Sequence, residues 1–389
     1  MEPSIRHRDV SSAQHAAGVG ASDEQAGYAV RLARTRREKA FLADDYPTTR
    51  PPDKWGGATS QGATAFIEID VKSIINPPEN TGMGFWSLNP YVGCEFGCAY
   101  CYARYAHRYV MERTHTTGQV STAASSGIGE TDERQGFERL IFVKRRQAVL
   151  AALERDLMRI RRRNVSRAPS PIVIGTATDP YQPAEQRFRI TRATLSRLLA
   201  TRGLAISLIT KSPRICRDID LLRQLKARHL LVVYISLIST DVRIIRRFEA
   251  RSPMPHVRLR TLRKLRDAGI TAGLNAAPVL PGITDSAFQI DALMAAARRA
   301  GAGFLHPAVL QLYPPVRDCY LPIIKKHFSD LILRYGAAYR GNWEAPRDYV
   351  AAVQRRFQRA ARKYGMDTED PLQIREQRQA ERETQLSLL

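Results

Sequence analysis

Long apolar runs are missing from this 389-residue chain. A helix that spans a bilayer needs about 18 to 20 consecutive apolar residues, and the best run, His229–Ile238, falls well short. The amino-terminal stretch MEPSIRHRDVSSAQHAAG holds no apolar core segment, so no secretory signal is expected. Both absences point to a cytoplasmic protein with no membrane partner. Cysteine is scarce and odd in number: five residues, three of them between positions 94 and 101. That distribution excludes the disulfide framework of a small secreted protein. It fits a reducing compartment and a metal or redox site.

Acidic residues are few beside basic ones, 38 against 60, which leaves a formal charge of +22. Lysine is rare as well, ten of those sixty, the rest being arginine. Guanidinium pairs bidentately with phosphate, so a phosphate-bearing partner is one reading. A GC-rich genome, which favours arginine and alanine, is the other, and charge alone leaves both open. The 44% hydrophobic and 25% charged content excludes wholesale disorder. The length suits two or three domains, or one large α/β barrel with extensions, and supports a sizeable core.

Residues 1–60 are polar, without a sustained period, and read as a flexible basic extension. Residues 114–136, rich in Ser, Thr and Gly, read as a loop or mobile insertion. Elsewhere short β-branched runs alternate with helical stretches. The runs are Trp86–Val92, Pro171–Thr176, Ala205–Thr210, Leu230–Leu237, Ala272–Leu280 and Gly303–Leu310. After the insertion they recur every 25 to 42 residues, and they lack polar alternation, as buried parallel strands do. Between them, Arg145–Arg163 places Val149, Leu150, Leu153, Leu157 and Ile160 on one helical face. Helices are also expected over Thr191–Thr201, Leu221–Arg228, Val257–Ala268 and Ser286–Arg299, with Gly269 and Gly301 as left-handed caps. Six β/α units in sequence imply a parallel sheet, closed or nearly so, with right-handed crossovers. Chemistry then belongs at the carboxyl ends of the strands.

Directly after the first run comes Gly93-Cys94-Glu95-Phe96-Gly97-Cys98-Ala99-Tyr100-Cys101-Tyr102, a C-x3-C-x2-C spacing in a glycine-bearing loop. Three thiolates so close can face one metal centre and leave a position open. An iron–sulfur cube held by three cysteines has one iron free for another ligand. A zinc knuckle completed by His107, or plain buried cysteines, are the alternatives. Zinc sites more often show a second C-x2-C pair farther on, and none is here, so the cluster is preferred.

The motif and its surroundings are similar to those of a known family. SLNPYVGCEFGCAYCYARYAH, with GTATDPYQPAEQ, ITKS and APVLPGITD, resembles the spore photoproduct lyase-like branch of the radical S-adenosylmethionine (SAM) superfamily, over about residues 65–365. The resemblance implies a partial (β/α)6 barrel over residues 61–312, a helical region over 313–365 and a polar tail over 366–389. It implies a [4Fe-4S] cluster on Cys94, Cys98 and Cys101, and SAM held by Tyr100, Thr178, Asp179, Lys211 and Ser236. Reductive cleavage of SAM to a 5′-deoxyadenosyl radical would follow, with flavodoxin or ferredoxin as reductant. Tyr102 matches a tyrosine that relays the radical in true spore photoproduct lyases. Their hydrogen-donating cysteine is matched by Thr176, which cannot give up a hydrogen atom from sulfur, so thymine-dimer repair by the same route is not expected. Cys319, in the loop after the sixth strand, is the candidate replacement; Cys216 is read as an incidental thiol. Asn275, Pro278 and Gln311 are expected to shape the mouth, and Glu249 and Arg251 to contact substrate or cofactor or to form a surface ion pair.

Two basic runs, Arg139–Arg167 with a local charge of +8 and Arg355–Lys363, are either solvated helix faces or a phosphate-binding surface. They support a nucleic-acid substrate and a repair-like activity; modification of a protein or small molecule, or a zinc-stabilised binding module, are the alternatives. The last residues, Gln385-Leu386-Ser387-Leu388-Leu389, resemble the short peptide by which bacterial repair proteins dock on the sliding clamp, with Leu389 in place of the usual Phe.

Overall fold

The computed structural model describes residues 64–81, 84–104, 106–107, 110, 133–163, 170–372 and 374. The amino-terminal extension, most of the 114–136 insertion and the clamp-like end lie outside these residues. Among the described residues, no helix is long and apolar enough to cross a membrane.

The strands in chain order are β1 (Ala65–Ile69), β2 (Ile75–Asn76), β3 (Trp86–Leu88), β4 (Tyr91–Val92) and β5 (Leu140–Lys144). They continue as β6 (Ile172–Ile174), β7 (Ala205–Thr210), β8 (Leu230–Ser236), β9 (Ala272–Val279) and β10 (Leu305–Val309). One seven-stranded sheet runs β10-β9-β8-β7-β6-β3-β2, and only β2, on its edge, is antiparallel. The other six are the six runs marked by the sequence, each linked to the next by a crossover. This is the expected α/β architecture, a partial (β/α)6 barrel.

The crossover helices obey their apolar period. Arg146–Arg163 buries Val149, Ala152, Leu153, Leu157 and Ile160 against the sheet, and leaves Leu150 half-buried at the edge of that stripe. The helices Pro255–Asp267 and Ala287–Arg299 are followed by Gly269 at φ 79° and Gly301 at φ 87°, the left-handed caps expected there. Ser286 caps the second by accepting from the Gln289 amide. Beyond β10, helices Pro314–His327, Ile332–Ala338 and Arg347–Tyr364 complete the described chain.

Three expectations need correction. The first run is two strands, β3 in the large sheet and β4 in a second one, because Asn89-Pro90 breaks the ladder: Pro90 has no amide to donate. The second sheet, β1-β5-β4, was not foreseen; β1 pairs in parallel with β5, and β4 pairs with β5 antiparallel. The end of the insertion is helical, Glu133–Arg139, and runs straight into β5.

Candidate active site

The cysteine loop leaves β4 and is held by its backbone. Gly93 adopts φ 86° and Gly97 φ 64°; a Cβ would stand 2.8 Å from the Leu140 carbonyl at the first and 2.7 Å from the Glu138 carboxylate at the second. Only glycine fits either position. The Cys94 amide donates to the Phe137 carbonyl at 2.9 Å, and the Ala99 amide to the Phe248 carbonyl at 2.7 Å. The second sheet and the Glu133–Arg139 helix thus exist, in functional terms, to carry one flank of this loop.

The other flank is carried by the segment after β6. Gln182 accepts from the Glu95 amide at 2.9 Å and donates to the Gly93 carbonyl at 3.2 Å and to Thr178 Oγ1 at 2.9 Å. Thr178 itself donates to the Gly93 carbonyl at 2.6 Å. Glu95 returns the contact by accepting from the Ala184 amide at 2.7 Å. Fully buried Glu185 accepts from the Tyr91 hydroxyl at 2.5 Å and pairs with Arg217 at 2.9 Å. Asp179 accepts from the Thr210 hydroxyl and the Lys211 amide, each at 2.7 Å, and from the Tyr181 amide at 2.8 Å, tying the end of β6 to the end of β7. Burial pushes its carboxyl above the usual range, and these three donors oppose the rise.

Between the flanks the three thiols converge. Burial raises all three, Cys98 to about 12, and Cys94 is raised further by the charges of Asp179, Cys98 and Cys101. Lys211 stands 5.8 Å above the Tyr100 ring. Burial works against its charge, but the nearby Cys98 and Glu249 hold it above the ordinary lysine range. Tyr100 donates its hydroxyl to Glu249, which is fully buried and ion-paired to the equally buried Arg258. Arg258 spends its remaining donors on the Ser236 carbonyl at 3.0 Å and the Pro253 carbonyl at 2.7 Å. Glu249 is therefore no surface ion pair but the interior anchor of Tyr100. Arg251, more exposed, donates to the Glu95 carbonyl and pairs with Glu138 at 3.3 Å.

A cavity of about 330 Å³ opens at the carboxyl ends of the strands. It is lined by Cys94, Cys98, Cys101, Tyr100, Tyr102, Thr178, Asp179, Lys211 and Ser236, so one space brings together nearly every sequence-marked residue. Asn275, Pro278 and Gln311 line it too. Cys319 does not; it stands in the helix Pro314–His327 rather than in a loop, because the chain turns helical at once after Tyr313. Cys216 lies in the short helix Pro213–Asp218, also off the cavity. His107 is buried between Phe137 and Phe142 with Nε2 against the Leu140 carbonyl at 2.8 Å, outside the cavity. Thr176 is buried and bonded to Ser87 and Asn89.

Among the cavity residues that sequence reasoning missed are Tyr234 and His306, together with Ser207 on β7 and Asp370 near the end of the described chain. Tyr234 and His306 sit on β8 and β10, in apolar surroundings, with ring centroids 6.0 Å apart. A polar residue interrupting a strand run was the available signal. Ser236 pairs with Asn275 and Asn275 with His306 in the sheet register, which sets a polar row across three strands.

Residues 88–294 match the family profile of the radical SAM superfamily, more than half of the chain. The chain belongs to that superfamily. An uncharacterized protein of Mycobacterium tuberculosis is 29% identical to it over 301 residues, 77% of this chain and 81% of that one. An uncharacterized protein of Methanocaldococcus jannaschii is 24% identical over 224 residues, 58% of this chain and 71% of that one. Among solved structures, spore photoproduct lyase complexed with dinucleoside spore photoproduct gives 15% identity and a TM-score of 0.48, covering 72% of this chain and 74% of that one. The cobalamin-dependent radical SAM enzyme OxsB gives 12% identity and a TM-score of 0.36, covering 72% of this chain and 36% of that one.

As a radical SAM enzyme the protein uses a [4Fe-4S] cluster and SAM. Its residues fit both. Burial raises the three thiols, so they hold their protons until a cationic iron centre would convert them to thiolate ligands. No group of three His, Cys, Asp or Glu side chains among the described residues is disposed to hold a single ion. His107, which would complete a zinc knuckle, is bonded to the Leu140 carbonyl away from the cavity, and membership of the superfamily favours the cluster over zinc. Above the thiols, Lys211 offers a cation to a carboxylate, Tyr100 a ring face, and Ser236 and Asn275 polar groups at the wall.

Proposed function

We propose that this radical SAM enzyme reductively cleaves SAM at a cluster held by Cys94, Cys98 and Cys101, and turns the released radical on a substrate that enters the barrel mouth. The observation that carries the reading is the convergence of the three thiols with Lys211 and Ser236 on one cavity at the carboxyl ends of the strands. When bound, the cluster supplies a single electron and SAM a carbon radical able to take hydrogen from an unactivated C–H bond. The protein supplies position. Lys211 would pair with the amino-acid carboxylate of SAM, and Tyr100, held by Glu249, would offer its ring to the adenine. Thr178 and Asp179 hold the loop and strand ends in register, and Ser236, at the cavity wall, would hydrogen-bond the ribose. Tyr102, whose hydroxyl donates to the Thr176 carbonyl beside the cavity, is the relay candidate. Cys319, on the helix Pro314–His327 outside the cavity lining, is the weaker candidate for hydrogen donor.

Anaerobic protein with full iron loading, reduced with dithionite, is expected to convert SAM to 5′-deoxyadenosine and methionine. A fully loaded wild type that releases neither would sink the reading.

For the substrate class, the +22 charge supports nucleic acid in a repair-like role, in a reducing cytoplasm. The helix Arg146–Arg163 contributes exposed Arg146, Arg155, Arg161 and Arg162, whereas Lys144 is buried and Arg145 is paired with Asp70. Binding of duplex DNA that does not weaken steeply with salt would argue instead for a protein or small-molecule substrate. Docking on a sliding clamp through Gln385–Leu389 is tested by a pull-down with those five residues removed.

A further inference from the structure

The helix Val242–Phe248 and the turn after it abut the cysteine loop from outside the cavity. The Phe248 carbonyl accepts from Ala99, Cys98 forms an antiparallel bridge with Glu249, and Cys98 Sγ lies 3.8 Å from Ser252 Oγ. The outer side of this helix is basic: Arg243 and Arg246 are exposed, and Arg247 lies 5.2 Å above the Phe328 ring. The helix Pro314–His327, which packs on it through Phe248 and Tyr320, ends in exposed Lys325 and Lys326. The acidic groups nearby do not cancel this charge. Glu249 is buried on Arg258, and Glu138 is engaged by Arg104 and Arg251. Asp241 caps the helix and pairs with Arg243 at 3.4 Å, and exposed Asp318 and Asp330 offset part of the charge, which leaves the basic groups in excess.

We propose that this face docks a small acidic one-electron carrier protein, a reduced flavin or iron–sulfur carrier. The proposal rests on the reading of the cysteine loop as a cluster site that must be reduced. One electron leaves the carrier and enters beside Cys98; no bond forms or breaks, and no proton moves. Two features favour a carrier over nucleic acid. The face touches the cluster loop directly, through Phe248 and Glu249, and none of its basic residues lines the substrate cavity. Opposite charge speeds such encounters without requiring a deep pocket.

The test uses the full, cluster-loaded chain and a triple charge reversal, Arg243→Glu, Arg246→Glu and Lys325→Glu. Reduction by reduced flavodoxin, followed as bleaching of the cluster absorbance in stopped flow, is expected to slow about tenfold or more at low salt, the gap closing as salt screens the charges. Reduction by dithionite, and dithionite-driven SAM cleavage, should stay at the wild-type rate. A far-face control at the amino ends of β7 and β8, Arg202→Glu with Arg228→Glu, should reduce normally. Calorimetric binding of flavodoxin to the chain gives a readout that needs no turnover, and the triple variant should lose it. Equal binding and equal flavodoxin-driven reduction in wild type and triple variant would overturn the docking face. So would an equal loss in the far-face control, or a triple variant that loses only affinity for duplex DNA. Failure of wild type to cleave SAM with dithionite strikes the proposed function, while the binding arm still judges the face.

Discussion

The two walls of the cavity are built differently. On the β3–β6 side each polar side chain is taken up by the scaffold: Asn89 bonds Ser87, Thr176 and the Ala177 amide, Gln182 bonds three partners, and Glu185 gathers Tyr91, Thr191, Arg192 and Arg217. On the β8–β10 side the row Ser236, Asn275 and His306 faces the cavity, Asn275 donating to Ser236 at 3.1 Å. A loop that must hold three thiols in one geometry needs its backbone satisfied from outside. A wall that receives a small molecule keeps its polar atoms on the cavity side. The first wall is therefore expected to govern assembly and stability, the second binding.

The largest break in that contrast comes from Cys98→Ala, which is expected to abolish the iron–sulfur absorbance of anaerobic protein and all 5′-deoxyadenosine. Next is Arg258→Met, which removes the ion-pair partner of buried Glu249 and leaves it with the Tyr100 hydroxyl and the more distant Lys211. Its cost should be about 3–5 kcal/mol in the urea midpoint, against less than about 0.5 for Arg155→Met on the exposed helix. Equal losses in the two would erase the difference between scaffold and surface.

Two buried bases, Lys144 on β5 and His107 packed against that strand, sharpen the contrast through pH. Burial pulls Lys144, which donates to the Asn89 carbonyl at 2.6 Å, down to about 8. The unfolded lysine titrates near 10.4, so between those values the unfolded chain holds the extra proton and stability rises with pH. The rise should total about 3 kcal/mol, and Lys144→Met should flatten it. Burial likewise pulls His107 down to about 4. Here the unfolded chain gains the proton first as pH falls below about 6.5, so stability drops through that window and levels off below 4, by up to about 3 kcal/mol. Urea midpoints from pH 7 to 4 check it; a His107→Gln variant with the same slope would contradict it. The smallest effect belongs to Asn275→Ala, which should change stability by less than about 1 kcal/mol while raising the KM for SAM.

Much of this site was legible beforehand because it is local. Three cysteines within eight residues, two glycines between or beside them, and polar residues that end apolar runs are all short-range signals. The six barrel strands were legible for the same reason, each being a compact β-branched run. The second sheet was not. Leu140–Lys144 sits inside a stretch that reads as a basic run, and its partners Ala65–Ile69 and Tyr91–Val92 lie far along the chain. Glu249 read as a ligand contact or a surface ion pair because nothing near it in sequence says that Arg258 will turn inward to meet it.

By itself the sequence determined the metal-cluster loop, the six parallel strand runs and the end of the barrel that carries chemistry, since spacing and periodicity are properties of the chain alone, while SAM came from the family resemblance of its motifs. Only the tertiary structure decided which carboxylates are buried, that Gln182 and Glu185 brace the cysteine loop, and that His306 faces the cavity while Cys319 does not. Those outcomes depend on which distant groups share a low-dielectric interior. There each polar atom must find a partner from whatever part of the chain packing brings beside it.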